Sequence, residues 1–101
     1  MSNKRHIDYQ EVLTEDLIKN PGFAIAYLNE AAKDKDPRIL KLALKNVIQA
    51  RLKATKKPKK SILNHEDLPR ILSRRGNPSI AGVAAILEAL GIDMSFNQKP
   101  I

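Results

Sequence analysis

Apolar residues recur along this chain at spacings of three and four, which lines them up on one face of an α-helix. Ala24, Tyr27, Leu28 and Ala31 form one such stripe, with Asn29, Glu30 and Lys33 on the polar side. Asn20-Pro21 precedes it. That pair supplies a capping side chain, then a proline at the first helical position, where its missing N–H costs nothing. The pattern predicts a helix from Pro21 to about Lys33. Asp36-Pro37 repeats the device and opens the longest predicted helix, to about Leu52. Leu40, Ala43, Leu44, Val47 and Ile48 share one face of it, and Arg38, Lys41, Lys45 and Gln49 the other. Leu42 falls outside the stripe, so either the buried arc is broad or Leu42 meets a partner. Ile80, Val83, Ile86, Leu87 and Leu90 make the cleanest stripe, capped by Ser79 and closed by Gly91.

The remaining segments are less regular. Residues 1–8 read as a flexible tail, and so do residues 97–101. Thr14-Glu15-Asp16 ahead of Leu17-Ile18 reads as the capped start of one or two helical turns. "KATKKPKKS", Lys53 to Ser61, has no apolar period, repels itself and is broken by Pro58, which predicts a flexible basic loop. "LNHEDLPRILSRRGNPS", Leu63 to Ser79, opens like a helix, with Asn64 as a natural cap and Glu66 and Asp67 in the first turn. It closes with Ser73, Arg74, Arg75 and Gly76. Pro69 sits where a continuous helix needs an N–H. A cap at Asp67 would put Pro69 within the first turn, in a shorter helix beginning near Leu68. Leu63, Leu68, Ile71 and Leu72 are expected in the core, as are Ile80, Val83 and Leu87. Ile92 to Phe96 alternates apolar and polar, as in a short strand or extended tail, open to pairing across a dimer. The expected fold is all-α, with about five helices in a single helical domain over residues 9–96.

Composition narrows the chemistry. A chain of 101 residues suffices for one domain with a modest core. Only 4% of residues are aromatic, so that core must be Leu, Ile, Val and Ala. With no cysteine, neither disulfides nor thiolate metal sites are available. His6 and His65 are the only histidines and no carboxylate cluster accompanies either, so no metal site is expected. No apolar run approaches the roughly 20 residues that span a bilayer, and no signal-peptide pattern appears. A cytoplasmic protein without a membrane partner is the expectation. No serine, lysine or carboxylate is placed beside a plausible base, and there is no glycine-rich phosphate loop, so neither enzyme activity nor a cofactor is expected.

The net charge of +7 is unevenly placed. Residues 1–36 hold seven acids and five bases, whereas residues 37–101 hold four acids and thirteen bases. Such asymmetry points to two surfaces with two kinds of partner. Lys53, Lys56, Lys57, Lys59 and Lys60 form the densest positive stretch, suited either to solvent or to phosphates.

Three segments together resemble a known family. They are "NPGFAIAYLNEAAKDKDPRILKLALKNVIQAR", "LNHEDLPRILSRRGNPS" and "VAAILEALGIDMSF". Over roughly residues 9 to 96 the chain resembles the addiction-module antidote proteins, antitoxins with a phage-repressor (Xre-like) helix-turn-helix. The G-N-P loop after "LS" is the most specific part. The resemblance implies a five-helix repressor-like domain with an N-terminal helical extension, and residues 63–75 as its recognition helix. It departs from the family in two places. "KKPKKSIL" stands where a positioning helix with "LA–TGL" is usual, so residues 53–62 form either a basic loop or a degenerate first helix. His65 and Pro69 replace the Arg and Tyr of the usual "REALY".

A helix-turn-helix places the start of its second helix at base edges. That would put Asn64, His65 and, one turn on, Arg70 at the bases, with Lys56, Lys57, Lys59 and Lys60 on phosphates. Arg74 lies near the helix end, where either DNA or the helix dipole accounts for it. The resemblance further implies a small toxin as partner, the protein's own promoter as the DNA target, and a homodimer whose reading helices lie about 34 Å apart. A toxin-binding module with a decayed helix-turn-helix, and a stand-alone repressor, are the alternatives.

Overall fold

The computed structural model describes residues 8–100, which are helical with no strand among them. The helices are α1 (Tyr9–Lys19), α2 (Pro21–Ala32), α3 (Pro37–Ala54), α4 (Lys60–Leu63), α5 (Asp67–Leu72) and α6 (Ile80–Ala89). The all-α class is therefore observed, with six helices among the described residues where the sequence pattern gave five. The backbone divides into two compact units, with the boundary between Lys56 and Lys57.

In the first unit, α3 packs against α1 and α2, and α1 against α2. The expected caps are in place: Asn20 Oδ1 accepts from the Phe23 amide at 3.1 Å and Asp36 Oδ1 from the Arg38 amide at 3.0 Å. α1 corrects the sequence expectation. It begins at Tyr9 because Asp8, read as part of the tail, accepts from the amides of Gln10 and Glu11 and so caps it. Thr14 is then mid-helix and its hydroxyl donates to the Gln10 carbonyl. The rest of the expected N-terminal tail, with His6, lies outside the described residues. Leu17, Ala24, Ala31, Ala43, Val47, Ile48 and Ala50 form the core. Its alanines recur seven apart on α2 and on α3, and such small side chains let helix axes approach closely. The buried residues of α3 (Ala43, Asn46, Val47, Ile48 and Ala50) span a broad arc of about 200°, and Leu42, 50% exposed, lies just beyond its edge. Asn46 is buried in its place; its Oδ1 accepts from Gln10 Nε2 at 3.1 Å and its Nδ2 donates to the Tyr27 hydroxyl at 2.9 Å.

In the second unit, α5 packs on α6. Ile62, Leu68, Ile71, Val83, Ile86, Leu87 and Ile92 are buried. Gly91 ends α6 with φ of +85°, a conformation that suits glycine. Its amide donates to Glu88 O at 3.0 Å, and that of Ile92 to Leu87 O at 2.8 Å, closing a Schellman motif. This motif turns Ile92 into the core, and residues 92–100 continue without regular structure, as the tail rather than the strand of the two alternatives that their alternation allowed.

Two expected core residues are instead exposed, Leu63 at 50% and Ile80 at 78%. Leu63 ends the four-residue α4, which turns only Ile62 inward. In α6 the buried arc is set by Gly82, Val83, Ile86 and Leu87. At 3.6 residues per turn, Ile80 lies about 90° from the centre of that arc.

Candidate nucleic-acid interface

The stretch read as one helix from Leu63 is two. α4 ends at Leu63, Asn64 to Glu66 form a turn, and α5 begins at Asp67. Asn64 is thus the C-cap of α4 rather than an N-cap, with its own amide bonded to Lys60 O at 2.8 Å. The N-cap of α5 is Glu66, which makes no side-chain capping bond, and the residue before it, His65, accepts from the Asp67 amide through Nδ1 at 3.0 Å. That hydrogen bond requires an unprotonated Nδ1, leaving the His65 ring only its Nε2 side for an outside partner. Pro69 is the third residue of α5, still among the positions whose amides have no helical acceptor, so the helix tolerates it.

Ahead of α4, Pro58 breaks the chain between lysines. Lys56, Lys57, Lys59 and Lys60 are all exposed, and Lys60 is already helical. The expected basic loop therefore spans only residues 55–59, shortened from both sides by the end of α3 and the start of α4. Beyond α5, the Ser73 hydroxyl accepts from the amides of Arg75 and Gly76 at 3.2 and 3.1 Å, which turns the chain away. Arg74 and Arg75 are exposed in that turn. In the second unit, lysines thus precede the helix pair and arginines follow it.

Asp67 stands in the first turn of α5, as expected, but it is buried and also serves α6. Its Oδ2 accepts from the Ser79 hydroxyl at 2.7 Å and its Oδ1 from the Ser79 amide at 3.2 Å. The Ser79 oxygen in turn accepts from the Gly82 amide at 2.9 Å, so Ser79 caps α6 as expected while donating to Asp67. Arg70 Nη1 donates to Asp67 Oδ1 at 3.1 Å. The Ser79 hydrogen bonds, side chain first and then backbone, hold the Asp67 carboxyl below its ordinary range, with Arg70 adding to them and burial opposing. Sequence spacing gave no sign of the pairing between Asp67 and Ser79, which are twelve residues apart.

The first unit offers different surfaces. Glu11, Glu15, Asp16, Glu30 and Asp34 are exposed. A groove of about 240 Å³ between α2 and α3 is lined by Tyr27, Glu30, Ala31, Ile39, Leu42 and Ala43, which is where the off-stripe Leu42 lies. Among the described residues no group of three or more His, Asp or Glu side chains is placed to hold a metal. No helix among them is long and apolar enough to cross a membrane. No protein-family profile, no curated protein sequence and no solved structure matches the chain.

Proposed function

We propose that the chain is a DNA-binding antitoxin, which neutralises a small toxin and, as a dimer, represses its own promoter. The observation that carries this reading is the pair of short helices, α4 and α5, joined by the three-residue turn Asn64–Glu66 and flanked by exposed cations. Two helices joined by a turn of three or four residues have the connectivity of a helix-turn-helix, a motif whose second helix enters the major groove. Lys57 and Lys59 before the pair, Lys60 at its first position and Arg74 after it are suited to phosphates, which fix register without reading sequence, and so is Lys56 at the end of the first unit. Base reading then falls to Asn64, to the free edge of His65 and to Arg70. So few base contacts imply affinity drawn chiefly from phosphates and modest discrimination between sequences. The acids Glu11, Glu15, Asp16, Glu30 and Asp34, all exposed, suit a basic toxin, and on that ground we assign toxin contact to residues 9–35.

One observation favours a second reading, a toxin-binding module whose DNA reader has decayed. α4 is a single turn of four residues where a helix-turn-helix usually has a full positioning helix. Fluorescence anisotropy separates the two, using a duplex from the region upstream of the gene and a scrambled duplex of equal length. Tighter binding to the upstream duplex, with co-purification of the neighbouring gene's product, supports the antitoxin. Co-purification without binding to either duplex replaces it with the decayed module.

A further inference from the structure

We infer that Asp67 is a positioning residue that presents Arg70 to a guanine, so that the base preference of the site depends on a buried carboxylate. This rests on the DNA-binding reading above and adds the base it selects. The Asp67 side chain is only 3% exposed, which is rare for an acid unless its oxygens are fully engaged. Two of its three donors belong to Ser79, at the cap of α6. The Ser79 hydroxyl is itself fixed, because its oxygen accepts from Gly82 while its proton goes to Asp67. The carboxylate is therefore held by the scaffold before Arg70 is considered, and it cannot swing to follow that side chain.

Arg70 is its third donor, and the Arg70 side chain is 51% exposed. An arginine in that position ordinarily samples many rotamers. Here Nη1 is tied to Asp67 Oδ1, while the Nε–H and Nη2–H fork is left for another partner. Two parallel donors match guanine, which offers O6 and N7 side by side in the major groove. Adenine offers one acceptor beside a donor and cannot take both. Holding the fork in advance lowers the ordering cost of that contact. Tying α5 to α6 is a separate role of Asp67 that needs only Ser79. Base preference therefore distinguishes positioning from scaffolding.

The test uses the full chain and a random-sequence duplex pool. Duplexes retained by the protein are sequenced, and guanine-to-adenine changes in the selected motif are then measured by anisotropy over a range of salt. The wild type should enrich guanine at one position of each half-site and prefer it to adenine by about ten-fold or more. Arg70→Ala should abolish that preference, whereas Arg70→Lys, which keeps the charge and the salt slope but loses the planar fork, should only reduce it. Asp67→Asn should weaken the preference by about three-fold or more, again with the salt slope kept. Should Asp67→Asn fail to fold, Ser79→Ala takes its place, since it keeps the carboxylate but removes the hydroxyl that holds Oδ2. A guanine preference untouched by the carboxylate variants, or a selected motif with no Arg70-dependent guanine, overturns the inference and leaves the DNA-binding reading standing. Failure of the wild type to retain any duplex overturns both.

Discussion

The carboxylate of Asp67 fills the space that a side chain on Gly82 would need. A Cβ at Gly82 would collide with Oδ2, Cγ and Cβ of Asp67. The contact joins α5 to the first turn of α6, the turn that Ser79 caps. Gly82→Ala should gain up to about 1 kcal/mol of helix propensity. It should lose more by displacing Asp67, since overpacking alone costs about 1–3 kcal/mol. Urea denaturation should therefore show net destabilisation. A variant as stable as the wild type would mean that α5 and α6 are not held this way.

Acid should weaken the same junction. Asp67 is held below the usual carboxylate range by Ser79 and then Arg70, and Asp36 by its hydrogen bonds with Arg38. Both groups stay ionised in the folded chain at a pH where the unfolded chain takes up protons. Their contribution is complete above the ordinary value of about 3.9 and is lost as pH falls through the lower folded values. Urea midpoints measured downward from pH 6 should begin to fall near that ordinary value. Asp67→Asn, less stable at neutral pH, should show a shallower fall. Parallel curves for the two proteins would remove Asp67 from the account.

Asn46 should behave as a core residue even though it is polar. Asn46→Ala should cost about 1–3 kcal/mol, because it removes a buried amide and the groups bonded to it. Tyr27→Phe should cost about 0.5–1.5 kcal/mol, the value of one hydrogen bond. The double variant should cost less than the sum of the two, since Asn46 Nδ2 and the Tyr27 hydroxyl are bonded to each other. Strict additivity would contradict that pairing.

How far these features could be read from the sequence depends on their range. The caps Asn20, Asp36 and Ser79 and the stop at Gly91 were legible, because each acts within four residues of itself. Asp8 was missed although Tyr9, Val12, Leu13 and Leu17 follow it at helical spacing, because Thr14-Glu15-Asp16 offered a competing start signal just ahead of Leu17. Asn64 misled because a good cap residue also suits the end of a preceding turn, and nothing local showed that Lys60–Leu63 would be helical. The buried roles of Asn46 and Asp67 depend on partners 19 and 12 residues away, which periodicity does not reveal. Of the candidate site, the exposed lysines were legible from charge alone. The roles of His65 at the start of α5 and of Asp67 between α5 and α6 were not.

Surface and core positions of α3 should separate cleanly. Leu42→Ser should change stability by no more than about 0.5 kcal/mol, as expected for an exposed site. Ile48→Ala, at a fully buried position on the same helix, should cost about 2–5 kcal/mol. Thermal or urea unfolding of the two variants checks this. A large loss at Leu42 would mean that another surface covers it in solution.

The salt dependence of duplex binding tests the central claim most directly. The dissociation constant is measured by anisotropy across salt concentrations for the wild type and for a variant with Lys56, Lys57, Lys59 and Lys60 all replaced by alanine. Each lysine that neutralises a phosphate contributes about 0.9 to the slope of log affinity against log salt. The account predicts a steep wild-type slope, a markedly shallower one for the variant, and weaker binding of the variant to upstream and random duplexes alike. Equal affinity and equal slope in a variant that remains folded would contradict it, leaving α4 and α5 as parts of a helical bundle with no role at DNA.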